Sequence, residues 1–225
     1  MAALATSRTS RWEPTARWAI RHREVVDAAA TAFAEKGFDG ASTRDIAERL
    51  GIRAASLYYY LPSKEAALAA VCELGVRDFI ANLRGILDRS EPAAEKLRSA
   101  VANHLAPLRT HPAADYIRVF LRHRHQLPDG PRQAVAKLAA EYQGLMEQIF
   151  VEGVASGEFR ADLDPKLATL ALLGLCNSVI GARSLPRGAS IDDFIDEYSK
   201  IAIHGVISGD AARKSRRKKK SAEED

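Results

Sequence analysis

Five residues within eight positions, Arg53, Ala54, Ser56, Tyr59 and Tyr60, combine a guanidinium, a small apolar surface, a hydroxyl and two phenols. On the outer face of a helix, such groups have the chemistry to read base edges in a DNA major groove. Tyrosine hydroxyls, the nearby Lys64 and helix N-terminal amides have the chemistry to hold phosphates and fix register. The same residues also fit an ordinary helical hairpin with an exposed aromatic patch, and periodicity alone leaves both readings open. Other chemistry lacks residues. The chain has no Ser/His/Asp set, no paired-carboxylate spacing and no Gly-rich phosphate loop, so it does not read as an enzyme. His123 and His125 stand two apart, which on a helix points them about 200° from each other. They do not converge as ligands, so no metal is expected, and no cofactor.

The element that must position the polar face is the stretch Ala41–Leu61, ASTRDIAERLGIRAASLYYYL. It reads as two short helices joined by a tight turn. Ser42 or Thr43 supplies a hydroxyl N-cap, with Asp45 or Ile46 opening the first helix. Ile46, Ala47 and Leu50 form its apolar face, and Gly51 provides a C-cap. Ile52 returns to the core. A second helix follows from about Ala54, with Leu57 and Leu61 on its inner face, until Pro62 ends it. Ser63 caps the next helix.

The run VVDAAATAFAEKGFDGASTRDIAERLGIRAASLYYYLPSKEAAL resembles the N-terminal domain of the TetR family of transcriptional regulators. The Ala-Ala-x-x-x-Phe helix, the Lys-Gly-Phe turn, Thr-Arg-Asp-Ile-Ala, Leu-Tyr-Tyr-Tyr-Leu and Ser-Lys-Glu all stand at that family's spacing. The resemblance implies a dimeric, all-α regulator whose DNA affinity is switched by a small ligand. It also implies a DNA-facing set made of Ser42, Thr43, Arg44, Arg53, Ala54, Ser56, Tyr58, Tyr59, Tyr60 and Lys64. Arg53-Ala54-Ala55 departs from the small polar residue and glycine that many members carry, which should alter the operator read rather than abolish DNA reading.

A chain of 225 residues is long enough to bury a substantial core in one or two domains. No apolar run reaches the roughly 18 residues of a membrane span, and the N-terminus does not read as a signal peptide. Cys72 and Cys176 fall inside predicted helices and read as buried thiols in a reducing cytoplasm. The net charge of +4 is carried entirely by the last fifteen residues, with seven Lys or Arg against three acids. The basic balance therefore says little about the helix pair. Residues 1–15 and 210–225 read as disordered tails, the latter solvated and able to add salt-sensitive phosphate contacts.

The first helix is expected from about Thr15 to Lys36, with Val26, Ala29, Ala30 and Phe33 as its apolar stripe; Gly37 closes it and Trp18 packs on its start. Residues 16–64 then form a three-helix DNA-binding domain with a helix–turn–helix, and 65–209 a helical ligand-binding and dimerisation domain. The fourth helix, about Lys64 to Asp88, joins the two. The fifth runs from Pro92 to near Arg109 and the sixth over about Ala113–His125. Pro128-Asp129-Gly130-Pro131 reads as a loop before a seventh helix, Pro131 to Ser156. The eighth, about Pro165 to Arg183, is apolar nearly all round and must be buried on every side. The ninth begins after Ser190 and ends near Ser208-Gly209. The eighth and ninth are expected to form half of an intermolecular four-helix bundle. Such a homodimer would present two reading helices about one DNA turn apart, matching a palindromic double-stranded operator.

The segments HPAADYIRVFLRHRHQLP and GVASGEFRADLDPKLATLALLGLCNSVIGARSL resemble a TetR subgroup controlling fatty-acid or steroid catabolism, whose members respond to acyl-CoA thioesters. A site for such an effector needs an apolar cavity and a few cations for phosphates. The candidates are Arg118, Phe120, Arg122, Tyr142, Asn177 and Arg183. The aromatic residue that the subgroup usually carries beside Arg183 is absent, with Ala182 and Ser184 in its place. Phe120 and Tyr142 fit a core equally well, and Arg118 and Arg122 a solvated helix face. The expectation is a cytoplasmic repressor, bound to no membrane and relieved by a small-molecule inducer. Two other readings stay open: a DNA-binding protein without an effector, and an all-α ligand-binding or scaffold protein whose helix pair no longer meets DNA.

Overall fold

The computed structural model describes residues 15–181, 186 and 188–208. Among these, nine α-helices account for nearly all regular structure. The first, α1 (Ala16–Gly40), is capped by Thr15, whose hydroxyl accepts the Trp18 N–H at 3.2 Å, and breaks at Gly37 (φ 72°). Its stripe Val26, Ala29, Ala30 and Phe33 is fully buried, as the period requires. The second, α2 (Thr43–Arg49), starts earlier than Asp45 or Ile46. Ser42 and Asp45 cap each other reciprocally: the Ser42 hydroxyl accepts the Asp45 N–H, and the Asp45 carboxylate accepts the Ser42 N–H at 2.7 Å.

Gly51, at φ 62°, turns the chain so that the Ile52 N–H reaches the Ala47 carbonyl at 3.0 Å. A side chain at that φ would be strained. Next, α3 (Ala54–Leu57) is a single turn, extended as a hydrogen-bonded turn in which the Leu61 N–H reaches the Leu57 carbonyl at 2.9 Å. Leu57 and Leu61 are both buried beneath it.

The long α4 (Lys64–Leu87) runs out of this bundle into the second. Its first half shares a core with α1, α2 and α3 through Leu68, Val71 and Cys72. Its second half, through Ile80, Leu83 and Ile86, shares another with the helices that follow. These are α5 (Ala93–Leu105), followed by a 3-10 turn over Ala106–Arg109, and α6 (Ala113–His123), followed by one over Arg124–Gln126. Then come α7 (Asp129–Ala155), α8 (Pro165–Gly181) and α9 (Ile191–Val206). The run Pro128-Asp129-Gly130-Pro131 is not a loop. Pro128 caps α7, and Pro131 lies in its first turn, where the missing proline N–H has no intrahelical partner to lose.

The first core does not stop at the expected 64/65 boundary, because Tyr116 and Val119 of α6 and Val135 of α7 belong to it. On α8, Leu172, Cys176, Val179 and Ile180 are buried, while Leu167 is 64% and Leu170 48% exposed. On α9 the stripe Phe194, Ile195, Tyr198 and Ile201 is only partly covered. Among the described residues no helix is long and apolar enough to cross a membrane.

Candidate functional site

The helix pair leaves a coherent polar face. Tyr58 is 49% and Tyr59 68% exposed, and Ser42, Arg44, Arg53 and Ser56 are exposed beside them. The Thr43 hydroxyl lies 3.3 Å from the Tyr58 hydroxyl, joining the start of α2 to the end of α3. Among the described residues neither Arg44 nor Arg53 has an ion-pair or hydrogen-bond partner for its guanidinium. Two neighbouring cations are spent: Lys36 pairs with Asp45 and Arg49 with Glu35. Lys36 and the Ser42 donors hold the Asp45 carboxyl well below the usual carboxylate range. Two unneutralised guanidiniums on a hydroxyl-rich face suit an anionic, hydrogen-bonding partner.

Three of the candidate residues are turned partly inward. Ala54 packs against the core. Tyr60 is half-buried, edge-on to Tyr59 and 6.0 Å from the Trp18 ring. Trp18 also stacks on His22 at 4.6 Å, and through Tyr60 it ties the start of α1 to the turn that follows α3. Lys64 departs most from expectation. Its ammonium donates to the Phe38 carbonyl at 2.9 Å and the Ala41 carbonyl at 3.3 Å, and sits 4.5 Å above the Phe38 ring. It braces the α1–α2 turn, and two of its three donors are committed there.

A cavity of about 600 Å³ opens between α4, α5, α6, α7 and α8. Phe79, Ile117, Phe120, Tyr142 and Leu173 give it a largely apolar wall. Of the expected ligand residues, Phe120, Tyr142 and Asn177 line it. Arg118 and Arg122 do not: they lie two residues either side of Phe120, on the opposite face of α6. Arg118 pairs with buried Asp115 at 3.3 Å, and Arg122 is exposed. Arg183 lies outside the described residues. The cations at the cavity are instead Arg124 and Arg132, exposed with His125 beside them, so the cavity meets solvent there. Arg124 lies 4.7 Å over the Phe120 ring, and Arg132 pairs with Asp129. The sequence raises His125 only as a metal ligand and does not single out Arg124 or Arg132 for the ligand site; the three come from a 3-10 turn and the first turn of α7.

Sequence reasoning also missed His104. Its Nδ1 is 3.0 Å from the Tyr142 hydroxyl and its Nε2 3.2 Å from Asn177 Oδ1. The ring lies deep in the domain and its accessible edge faces the cavity, so burial lowers its pKa and keeps it neutral. Burial likewise pushes the Tyr142 phenol up, and takes the Cys72 and Cys176 thiols to about 12. The two cysteines are free and sit in separate cores. His123 bonds Gln126 at 2.9 Å, and Gln126 donates to Asp39 at 3.1 Å.

The cavity wall and the helix-pair bundle share a residue. Tyr116 lines the cavity, and its hydroxyl donates to Asp27 of α1 at 2.7 Å. Next to it the Thr31 hydroxyl donates to Asp115 at 3.0 Å, and Arg23 covers the Tyr116 ring at 5.3 Å.

Two family models match the chain. "Bacterial regulatory proteins, tetR family" covers residues 25–71, and "Tetracyclin repressor-like, C-terminal domain" covers 90–206. The HTH-type transcriptional repressor KstR2 of Rhodococcus jostii is 27% identical over 191 residues, 84% of this chain and 92% of that protein. Its namesake in Mycolicibacterium smegmatis is 34% identical over 154 residues, 66% of this chain and 72% of that protein. AibR, solved with isovaleryl coenzyme A and operator DNA, shares the fold, with a TM-score of 0.71 at 21% identity over 80% of this chain and 97% of that one.

Proposed function

We propose that this chain, which belongs to the TetR family of bacterial regulatory proteins, is a dimeric DNA-binding transcriptional repressor released by a small apolar or acyl-coenzyme-A-like inducer. Arg44, Arg53, Tyr58 and Tyr59, with Ser42, Thr43 and Ser56, meet the operator; Lys64 and Tyr60 hold the reading element in place. Both KstR2 relatives are transcriptional repressors. It works in the cytoplasm, where both buried thiols stay reduced.

The observation that carries the inducer reading is Tyr116, part of the cavity wall and also bonded to Asp27 on α1. A ligand that displaces Tyr116 and the neighbouring α4 wall alters two attachments of the DNA-binding bundle together. The inducer must bind the DNA-incompetent arrangement more tightly than the other, because equal affinity for both shifts nothing. An apolar chain along the cavity with phosphates at Arg124, His125 and Arg132 has the chemistry of an acyl thioester of coenzyme A. AibR, of like fold, has been solved with such a molecule.

Dimerisation through α8 and α9 covers Leu167, Leu170 and Ile201. The small exposed residues Ala171 and Gly174 let a second α8 approach closely. Two protomers related by a two-fold axis put the reading elements about one DNA turn apart.

Selection of bound duplexes from a random pool, followed by release with acyl-coenzyme A, tests the proposal. A palindromic site with half-sites about ten base pairs apart, released by the thioester and not by free coenzyme A, is the expected result. Binding that follows salt alone, with no enriched sequence, overturns it.

A further inference from the structure

The apolar cavity holds a polar chain assembled from three helices: Tyr142 of α7, His104 of α5 and Asn177 of α8. Their placement in a pocket otherwise lined by Phe79, Ile117 and Leu173 asks for a reason, since apolar residues of equal size would fill the space without burying dipoles. The chain leaves a hydrogen-bond donor over in either direction. In one, the Tyr142 O–H donates to His104 Nδ1 and His104 Nε2 donates to Asn177 Oδ1. The Asn177 amide N–H groups are then left, with no protein acceptor among the described residues. In the other, the amide is turned over and every bond reverses. The Tyr142 O–H is then left, and the Asn177 oxygen stands as a spare acceptor. A carbonyl oxygen, which only accepts, finds a donor in both cases.

Helix α7 measures how far this chain stands from the cations. Arg132 and Tyr142 are ten residues apart on it, about 15 Å along the helix axis. Ala136, Ala139 and Ala140 line the cavity between them, and their small side chains leave room for a slim ligand segment. In a coenzyme A thioester, the arm from the diphosphate to the sulfur is a run of about thirteen atoms, the length of roughly four extended residues and so about 15 Å. A ligand whose phosphates sit at Arg124 and Arg132 therefore sets its thioester at Tyr142, His104 and Asn177. Beside them Phe79 and Leu173 offer apolar surface to the acyl group.

We infer that the Tyr142–His104–Asn177 network is the subsite for the thioester carbonyl oxygen of an acyl-coenzyme A, its donor being Asn177 or Tyr142 according to the direction of the chain. This rests on the acyl-coenzyme A reading of the cavity. A carbonyl oxygen satisfies the spare donor, whereas a methylene in its place leaves that donor desolvated and unpaired. The network thus reads the group common to all acyl-coenzyme A molecules and absent from free coenzyme A, and it is indifferent to the far end of the acyl chain.

The experiment compares, on the full protein, a saturated acyl-coenzyme A with the S-alkyl-coenzyme A of equal chain length, a thioether in which a methylene replaces the carbonyl. Binding is read by calorimetry. The thioester is expected to bind at least about tenfold more tightly. Tyr142→Phe and Asn177→Leu each remove one end of the network, and the preference falls away in at least one of them. Asn177→Asp, which keeps an acceptor for His104 but has no N–H to offer, stands in for the leucine variant should that protein fold poorly. Equal or tighter binding of the thioether to the natural protein, or a preference that survives at both positions, overturns the inference while leaving the acyl-coenzyme A reading intact. Binding of neither probe to the natural protein overturns that reading, and this inference with it.

Discussion

Replacing Lys64 with methionine separates two roles that the sequence alone gives to one residue. As a phosphate ligand, Lys64 would contribute to operator affinity through counterion release. As a brace, it contributes through the fold. Its ammonium donates to two carbonyls, at 2.9 Å and 3.3 Å, and lies 4.5 Å over the Phe38 ring. A hydrogen bond to a charged group contributes about 1.5–3 kcal/mol at best, and the longer of the two contributes less. The cation–π interaction adds about 0.5–1 kcal/mol. Lys64 is only half-buried, so solvent screening reduces the sum. Lys64→Met keeps the stem over Phe38 and removes the charge, at a net cost of about 2–3 kcal/mol. For a chain of this length that lowers the melting temperature by roughly 5–10 °C. The companion assay is operator affinity over a salt series. Removing a cation that neutralises one phosphate flattens the slope of log affinity against log salt by about 0.9. The expected outcome for Lys64→Met is a clear drop in melting temperature with a slope change well below that. The exposed, unpaired Arg44 should behave oppositely: Arg44→Ala melts like the natural protein and its slope flattens by about 0.9. A Lys64→Met protein that melts normally and flattens by that much refutes the reasoning.

Leu170→Glu puts a carboxylate on the bare face of α8; size-exclusion chromatography should then report a monomer, with operator affinity lower by at least ~100-fold once the paired half-sites no longer act together. His104 has a folded pKa below its ordinary 6.5, so between those two values the unfolded chain binds a proton that the folded chain refuses. Stability therefore falls as pH drops below about 6.5 and is unaffected by this group above it. His22, lowered in the same direction, adds to the effect, so the test is the difference between the natural protein and His104→Gln in urea melts at pH 7 and pH 5, which should narrow the gap between the two pH values. A Cβ at Gly153 would fall 2.1 Å from Cδ2 of the buried Phe159 ring, so Gly153→Ala should cost about 1–3 kcal/mol in thermal melts while leaving the selected operator sequence unchanged.

The helices and their ends are largely legible in the sequence. The stripe Val26, Ala29, Ala30 and Phe33 is buried where its period puts it, and Ser63 and Ser190 cap α4 and α9. Where sequence and structure differ on a helix end, the cause is local as well. The reciprocal cap between Ser42 and Asp45 draws the start of α2 forward to Thr43. The prolines at 128 and 131 punctuate the start of α7 rather than a loop, because the first turn of a helix needs no N–H.

The site is legible only in part, and the reason is geometric. Periodicity groups Arg118 and Arg122 together, opposite Phe120, but it does not say which face of α6 meets the cavity; the packing of α6 between α1 and the cavity gives that place to Phe120 and Ile117. His104, Tyr142 and Asn177 lie far apart in the chain and carry no shared signature, so only the meeting of three helices makes them one network. Lys64 occurs in a stretch that matches a DNA-binding family, yet the Phe38 and Ala41 carbonyls lie within its reach and draw it inward. What the sequence determined by itself was the set of helices, their caps and the reading motif, because hydrophobic period, capping and turn chemistry act within a few residues. What only the tertiary structure decided was where long polar side chains end, because their partners come from elements distant in the chain.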